Sequence, residues 1–264
     1  MSGFDIVIEI GGLPVRVRTQ DPAFARLLEE RYAGFLNPGC PAEAFDFEID
    51  LAPSGRIAPE EDVRVSYQSG RWRMVRGDFE AEWDPGLRRG WARHSANPYS
   101  IDSVLRILHS LLLARQGGFL VHAASGVRKG RAYLFSGLSG AGKTTIARLA
   151  PPEVTLLTDE ISYVRPQAEG YWAFGTPFAG ELAQAGANVS APIAALFLLA
   201  QGAPTRLEPV GAAEATQALL RNILFFASDS ELVRLVFESA CEFVRRVPVY
   251  RLVFVPEPQV WEMI

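Results

Sequence analysis

The residue pattern with the clearest chemical meaning lies near the middle of the chain. After an apolar, strand-like run at residues 131–136, the sequence reads Gly137-x4-Gly142-Lys143-Thr144. Glycines allow a tight turn that points backbone N–H groups at phosphate oxygens. A lysine at this spacing reaches the β- and γ-phosphates, and the hydroxyl that follows it holds Mg²⁺. The pattern therefore predicts a phosphate-binding loop.

We expect the phosphate contacts to come from nine consecutive residues: Gly137, Leu138, Ser139, Gly140, Ala141, Gly142, Lys143, Thr144 and Thr145. Lys143 supplies the positive charge, and Thr144 supplies the hydroxyl for the metal. The chain has 26 basic residues, of which only Lys129 and Lys143 are lysines. A compact ammonium suits a phosphate loop better than a forked guanidinium, so the composition supports the motif.

Two carboxylates follow the next predicted strand. Residues 154–158 form an apolar run that ends at Asp159 and Glu160. Acidic residues at a strand end beside a phosphate loop are placed to hold Mg²⁺ or to accept a proton. We expect Asp159 to coordinate Mg²⁺ or to orient the acceptor, and Glu160 to share the metal or to act as a base. With Thr144, these two residues make up the predicted metal site.

The connection before the motif constrains the fold. Residues 119–127 and 131–136 are two strand-like runs separated by only three residues. A parallel crossover needs about a dozen residues, so this connection predicts an antiparallel hairpin. We therefore expect a mixed, largely antiparallel α/β core around the loop, unlike the parallel sheet of small GTPases.

The rest of the sequence divides into two predicted domains. Residues 1–92 contain several runs of alternating apolar and polar positions and one helix that begins at Asp21-Pro22. This pattern predicts a small, mostly antiparallel α+β unit with a docking or regulatory role. A polar, glycine-containing stretch at residues 84–97 suggests the boundary. Residues 93–264 are the predicted domain that carries the phosphate-binding loop.

Helical spacing of apolar residues predicts further elements in that second domain. We expect Ser100 to cap a helix, with His109 beside its apolar stripe as a packed or half-exposed side chain rather than a catalytic one. Two more helices are predicted at residues 213–226 and 229–245, followed by a strand at residues 249–255.

Composition and charge narrow the classes of function. The 264 residues suit one large or two modest domains, and 48% hydrophobic against 21% charged residues allow a full core. A net charge of −4 argues against a nucleic-acid or membrane partner. Cys40 and Cys241 are too few for a disulfide framework and have no metal-ligand spacing. With no signal peptide recognisable at the start, we expect a cytoplasmic protein.

A specific resemblance extends this interpretation. The hairpin leading into the motif, with an acidic pair 16 and 17 residues after the lysine, resembles the catalytic domain of HPr kinase/phosphorylase, which is similar in turn to phosphoenolpyruvate carboxykinase. His122, within Val-His-Ala-Ala at residues 121–124, lies where that family carries a histidine on the first hairpin strand. Residues 157–160 match its Leu-Ala-Asp-Asp sequence, with Glu160 replacing the second aspartate. Residues 174–181 resemble a segment common in HPr-kinase-like proteins encoded near peptide-modifying enzymes.

The resemblance covers residues 119–181 and implies a phosphate-loop core of the HPr kinase type. It implies ATP and Mg²⁺ as cofactors, phosphoryl transfer to a hydroxyl, and catalytic roles for His122, Lys143, Asp159 and Glu160. The arginine- and glycine-rich signature of that family is not recognisable after the acidic pair, so HPr is not implied as the acceptor. Two readings stay open for two residues: His122 touches the transferred phosphate or is bonded to backbone, and Glu181 binds substrate or is a loop carboxylate.

Three functions are compatible with these patterns. The first is an ATP-dependent kinase acting on a serine or another hydroxyl of an unidentified peptide, protein or small molecule. The second is a regulator or assembly partner that binds the nucleotide without transferring phosphate, and the third is a carboxykinase-like metabolic enzyme. Three arginines of the C-terminal third could supply a cation to the transition state: Arg221, Arg245 and Arg246. The sequence leaves open the identity of the phosphoryl acceptor, the preference for ATP or another nucleotide, and whether the chain forms a homo-oligomer.

Overall fold

The structure is a computed structural model that describes residues 3–39, 41–52 and 62–264. The expectations for Cys40 and for the first two residues of the chain lie outside the described residues. The chain divides into two compact units, Met1–Leu111 with Phe225–Val233 and Leu112–Leu224 with Arg234–Ile264. Each unit contains a mixed β-sheet and helical segments, and the predicted α/β class is confirmed.

The first unit is built on a seven-stranded sheet in the order β1-β2-β3-β7-β6-β5-β4. Its strands are β1 (Phe4–Ile10), β2 (Leu13–Thr19), β3 (Phe45–Leu51), β4 (Arg64–Gln68), β5 (Arg71–Arg76), β6 (Phe79–Asp84) and β7 (Arg89–His94), with helix α1 (Pro22–Arg31) and a 3₁₀ turn at Ala33–Phe35. β3 pairs in parallel with β2 and β7, and the other pairs are antiparallel. Residues 84–97, which the sequence suggests as a boundary, contain β7.

Helix α1 begins as predicted. The Asp21 carboxylate accepts the backbone N–H groups of Ala23 and Phe24, both at 2.8 Å, and Pro22 occupies the first turn. Proline fits this position because its missing N–H would have no helical partner there. The side chain of Phe24 is buried and anchors the helix to the unit.

Helix α2 (Pro98–Arg115) begins earlier than the sequence predicts. The expected cap at Ser100 is wrong, because the Asn97 side chain accepts the N–H groups of Tyr99 and Ser100 at 2.7 and 3.2 Å. Ser100 instead donates its hydroxyl to Asp78 at 2.9 Å. His109 is fully buried, and its prediction as a packed side chain is confirmed. None of the helices in the described part of the chain is long and apolar enough to cross a membrane.

The second unit has a nine-stranded sheet. Its strands are β8 (Phe119–Arg128), β9 (Arg131–Ser136), β10 (Thr155–Thr158), β11 (Ile161–Gln167), β12 (Gly170–Phe174), β13 (Ser190–Gln201), β14 (Arg206–Pro209), β15 (Ile223–Leu224) and β16 (Val249–Phe254). The main path runs β10-β8-β11-β12-β13-β16-β14, while β9 pairs with both β8 and β13 and β15 pairs with β8. The helical segments are α3 (Lys143–Arg148), α4 (Ala212–Leu220), α5 (Ser230–Arg246) and a 3₁₀ helix at Pro258–Met263.

The predicted hairpin before the phosphate-loop motif is confirmed. β8 and β9 pair antiparallel, with Arg128 opposite Arg131. The turn residues Lys129 and Gly130 have φ angles of 51° and 73°, the two positive values typical of a tight I′ hairpin turn. On its other side β9 pairs in parallel with β13, so the strand that enters the motif lies between one antiparallel and one parallel neighbour.

The helix predicted at residues 213–226 is too long. Helix α4 ends at Leu220, and Ile223–Leu224 form the short strand β15 against β8. The backbone N–H of His122 donates to the Asn222 carbonyl at 2.7 Å, so pairing with β8 takes these residues out of the helical pattern. Such tertiary pairing overrides a helical periodicity read along the chain.

Replacing Gly130 tests the hairpin turn. A Cβ at this position meets no atom within 4 Å, so only the left-handed backbone penalises a side chain. We expect Gly130→Ala to lower the free energy of unfolding by about 1 kcal/mol, measured by urea denaturation. Gly211→Ala is the matched control, because Gly211 has equally open surroundings and a φ of −66°. Equal losses in both variants would contradict the turn.

Candidate functional site

The phosphate-loop motif borders a cavity of about 480 Å³ in the second unit. The lining residues are His122, Ser139, Gly140, Gly142, Lys143, Thr144, Thr145, Asp159, Glu160, Ala179, Gly180 and Glu181. The four residues predicted as catalytic and the three predicted as metal ligands are all among them. Of the nine predicted phosphate contacts, only Gly137, Leu138 and Ala141 do not line it. Two segments predicted separately, the loop and the acidic pair, therefore meet at one place.

The backbone of the loop requires glycine at two positions. Gly140 and Gly142 have φ angles of 79° and 106°, which side chains rarely adopt. A Cβ on Gly142 would also lie 2.7 Å from the ring of Phe254 on β16. The loop is held further by Gln201 at the end of β13, whose side-chain amide donates to the Gly140 carbonyl at 2.8 Å.

Lys143 is turned back onto its own loop. Its ammonium donates to the carbonyls of Gly137 and Leu138 at 2.9 and 3.3 Å, and the residue is only 8% exposed. Burial lowers the pKa of Lys143, and the nearby carboxylates of Glu160 and Glu181 partly oppose that shift. The cation is therefore held in a desolvated place where an anion would be a stronger partner than two neutral carbonyls.

Asp159 joins the end of β10 to a distant segment. The residue is 5% exposed, and its two carboxylate oxygens accept the N–H groups of Gly180 at 2.9 Å and Leu182 at 2.8 Å. A Cβ on Gly180 would lie 2.8 Å from one of these oxygens, so the segment approaches this closely only with glycine there. Each oxygen keeps a lone pair, since a carboxylate oxygen accepts two hydrogen bonds or one bond and a metal.

Two glutamates complete the acidic part of the cavity. Glu160 follows Asp159 in a turn in which the Thr158 hydroxyl accepts the N–H groups of Glu160 and Ile161, both at 3.1 Å. Glu181 is exposed and lines the cavity, where its charge raises the pKa of Lys143. Glu181 therefore lies in a loop that borders the cavity.

The face of β8 that carries His122 is settled by its neighbours. Val121 and Ala123 are fully buried in the core cluster on the opposite face, while Ala124 belongs to the cluster that includes Ile146 of α3. His122 therefore lies on the face opposite Val121 and Ala123, as the alternation of side chains along a strand requires, and its half-buried side chain lines the cavity. Its own backbone carbonyl accepts the Ser136 hydroxyl at 3.0 Å.

The C-terminal arginines lie elsewhere. Arg245 and Arg246 both form ion pairs with Glu242 on helix α5, and Arg221 follows the last turn of α4. None of the three lines the cavity, where Lys143 is the one lysine or arginine among the described lining residues. Their positions therefore do not support the prediction that one of these arginines supplies a cation at the cavity.

The side chains at the cavity suit a hard cation. Thr144, Asp159 and Glu160 offer oxygen donors, which Mg²⁺ prefers, and Mg²⁺ usually takes one or two carboxylates together with phosphate oxygens and waters. Within residues 3–39, 41–52 and 62–264, no group of three or more His, Cys, Asp and Glu side chains could hold a metal by itself.

Ala179 and Gly180 line the cavity although neither is predicted as a site residue. The segment after β12 reaches the cavity through four backbone bonds: Gly175 N–H to Val189, Thr176 N–H to Leu157, Gly186 N–H to Thr176 and Ala187 N–H to Leu156. The signal available in the sequence was the resemblance of residues 174–181 to a segment of HPr-kinase-like proteins.

Comparison with known proteins gives one family. Residues 97–264 match the family described as SynChlorMet cassette protein ScmC. The match covers more than half of the chain and includes the phosphate-loop motif and the acidic pair. No curated protein matches the chain.

Substitution of Asp159 by asparagine tests its contact with the segment at residues 180–182. An amide presents one oxygen and one NH₂, so one of the two N–H groups would face a donor instead of an acceptor. A bond to a charged group is worth about 1.5–3 kcal/mol, so we expect the Gly180 or Leu182 amide in Asp159→Asn to exchange with deuterium at least about tenfold faster. Glu160→Gln is the matched control and should leave both rates unchanged. Unaltered exchange in Asp159→Asn would contradict the contact.

Proposed function

The chain belongs to the family described as SynChlorMet cassette protein ScmC, and for this member we propose, from the geometry of its cavity, an ATP-dependent kinase. In the proposed reaction the γ-phosphate of ATP passes to a serine or another hydroxyl of a peptide, protein or small molecule. The observation that carries the proposal is the meeting of the Gly-x4-Gly-Lys-Thr loop with Asp159 and Glu160 at one cavity.

The loop side of the cavity supplies the proposed phosphate site. Lys143 exchanges its bonds to the Gly137 and Leu138 carbonyls for bonds to phosphate oxygens, which are charged acceptors and therefore stronger partners. The turns at Gly140 and Gly142 keep side chains away from the space that the phosphates would occupy. Phosphoryl transfer depends mostly on positioning and on stabilising charge, so a fixed cation and a rigid loop are the main requirements.

The acidic side supplies the proposed metal and acceptor site. Thr144, Asp159 and Glu160 would hold Mg²⁺, which when bound spreads the negative charge of the β- and γ-phosphates. Glu160 is the proposed base for the acceptor hydroxyl, because the oxygens of Asp159 already accept two backbone N–H groups. His122 and Glu181 would then border the entering acceptor. These assignments follow placement around the cavity.

The antiparallel hairpin supports the resemblance to HPr kinase/phosphorylase as part of this proposal. The strand that enters the loop pairs antiparallel with the strand that holds His122, the arrangement that the resemblance predicts. The parallel pairing of β9 with β13 on the other side is compatible with a mixed sheet of that kind. We therefore propose that this unit has a phosphate-loop core of the HPr kinase type.

A second function is favoured by a specific contact. Both oxygens of Asp159 hold the backbone at Gly180 and Leu182, which gives this residue a structural task that a protein binding ATP without phosphoryl transfer would also need. The alternative is a nucleotide-dependent regulator or assembly partner. Nucleotide binding is common to both proposals, and phosphoryl transfer separates them.

Replacing Lys143 tests nucleotide binding. We expect Lys143→Ala to weaken the binding of Mg²⁺-ATP by at least about tenfold, the loss corresponding to a charge-assisted bond, with the fold retained in circular dichroism. Isothermal titration calorimetry measures the affinity. Lys129→Asn provides the matched control, because Lys129 is the other lysine of the chain and occupies a left-handed turn that asparagine tolerates. Equal affinities of Lys143→Ala and the wild type would exclude a phosphate site at this loop.

Replacing Glu160 separates the kinase from the regulator. We expect Glu160→Gln to keep Mg²⁺-ATP affinity within about tenfold and to lower transfer to an accepting hydroxyl by about 10²–10⁴-fold, the usual contribution of a general base. The assay uses γ-labelled ATP, Mg²⁺ and a panel of serine-containing peptides and small alcohols. Glu181→Gln, a change of the same kind on an exposed side chain, should lower transfer much less. If the wild type binds Mg²⁺-ATP but labels none of the acceptors, the regulator is the better proposal.

A further inference from the structure

The outer face of the seven-stranded sheet in the first unit carries an ordered pattern of charges. On strands β3, β6 and β7, alternate residues are buried in the core, so the residues between them point to the opposite face. The outward residues of β7 are Arg89, Trp91 and Arg93. Those of β3 are Asp46, Glu48 and Asp50, and those of β6 are Asp84, Glu82 and Glu80.

The register groups these nine residues into three rows that cross the sheet. In each row a residue of β7 lies between a carboxylate of β3 and a carboxylate of β6. The rows are Asp46-Arg89-Asp84, Glu48-Trp91-Glu82 and Asp50-Arg93-Glu80. The first and third rows place a guanidinium between two carboxylates. The middle row has the same two flanking carboxylates but an indole ring between them.

The carboxylates of the outer rows already have partners. Asp46 pairs with Arg16 at 2.7 Å, and Asp50 pairs with Arg93 at 3.3 Å. Asp84 accepts the backbone N–H groups of Gly86 and Leu87. Glu80 pairs with Arg73, so each of the four carboxylates in the outer rows has a partner within the first unit.

The middle row is different. Glu82 pairs with Arg71 at 2.9 Å, in an exposed contact, whereas Glu48 makes no hydrogen bond or ion pair to any other described residue. Arg18 lies opposite Glu48 on β2, but its ion pairs run to Asp5 at 3.5 Å and to Asp46 at 3.8 Å. Glu48 therefore has a free carboxylate beside an aromatic ring.

The ring itself is open to a ligand. Trp91 is 38% exposed, while Trp83 on the neighbouring strand β6 and Trp72 on β5 are almost completely buried. Trp91 has no aromatic or cationic contact with another residue of the described part of the chain. It lines a cavity of about 320 Å³ together with Glu48, Glu82 and Arg89. The charged walls of that cavity hold four carboxylates (Asp46, Glu48, Glu82 and Asp84) against three guanidiniums (Arg18, Arg71 and Arg89).

We propose that this cavity binds an arginine side chain of a peptide or protein partner, which supplies the cation that the middle row lacks. The guanidinium stacks on the exposed face of Trp91, where the negative face of the ring attracts it, and donates to the Glu48 carboxylate. The partner's arginine then takes the same place over the middle row that Arg89 and Arg93 take within theirs. The proposal concerns the first unit alone and stands independently of phosphoryl transfer in the second.

Arginine is favoured over lysine by the shape of the site. A planar guanidinium stacks on an indole while its edge N–H groups remain directed at carboxylates, and it sheds water more readily than an ammonium. Glu48 and Glu82 flank the ring on both sides, which offers acceptors in the plane of a stacked guanidinium. The ammonium of a lysine is a compact point charge, so it would contact only one of these two carboxylates at a time.

A titration with capped peptides tests the proposal on the full chain. The probe is Ac-Gly-Ser-Gly-Arg-Gly-Ser-Gly-NH₂, followed through the indole N–H signal of Trp91 in ¹H–¹⁵N spectra. The matched peptides carry lysine or the uncharged isostere citrulline in place of arginine. We expect a saturable shift with the arginine peptide, weaker binding of the lysine peptide, and binding about two- to fivefold weaker with citrulline, as expected for an exposed cation–π contact.

Variants of the protein locate the contact. Glu48→Gln and Trp91→Leu should each weaken the arginine peptide by about fivefold, while Trp91→Phe, which keeps an aromatic face, should lose less. Arg89→Gln removes a rim cation and should leave the affinity unchanged or raise it, whereas a site for an anion would lose affinity. Equal binding of the citrulline peptide, unchanged affinity in Glu48→Gln, loss of affinity in Arg89→Gln, or no saturable shift would each overturn the proposal.

Discussion

The hydrogen bonds from Gly180 and Leu182 to the buried Asp159 carboxylate are the contact on which the rest of the cavity depends. They join the end of β10 to the irregular segment that follows β12. This segment lies about twenty residues after Asp159 in the sequence. Without this carboxylate the two part-buried backbone donors of that segment would lose a charged acceptor, and a hydrogen bond to a charged group is worth about 1.5–3 kcal/mol. The same contact brings Glu181, which lies between the two donors, to the cavity. One side chain thus links the geometry of the acidic wall to the stability of the unit.

The balance of charge explains why the proposed ligand is a metal complex of a nucleotide. Three carboxylates, those of Asp159, Glu160 and Glu181, line the cavity with the ammonium of Lys143. A bare triphosphate entering this space would meet net repulsion, since unit charges at short range interact strongly where water is scarce. A divalent cation between the phosphates and the carboxylates reverses the sign of that interaction. The acidic wall is therefore compatible with phosphate binding provided that a metal accompanies the phosphate.

The parts of the site that the sequence predicts are those fixed by local spacing. A three-residue connection allows only a hairpin, and Gly-x4-Gly-Lys-Thr places its own lysine and hydroxyl, so β8, β9 and the loop could be predicted. Gly180 could not, because its contact with Asp159 depends on how a segment without regular structure folds back. Two predicted helix boundaries, the start of α2 and the end of α4, are wrong for related reasons. Asn97-Pro98 starts helix α2 ahead of Ser100 through a side-chain cap, and Ile223–Leu224 leave a helical pattern because β8 has an open edge for them.

The inward fold of Lys143 has a consequence for selectivity. Its ammonium is bonded to two backbone carbonyls and shielded from solvent, so it does not present a bare positive charge at the surface. A single small anion that replaces those bonds would contact the ammonium at one point. The proposed chain of phosphates would instead engage the lysine and the loop backbone together. Under the proposed function, the position of Lys143 would therefore favour a polyphosphate over a small anion.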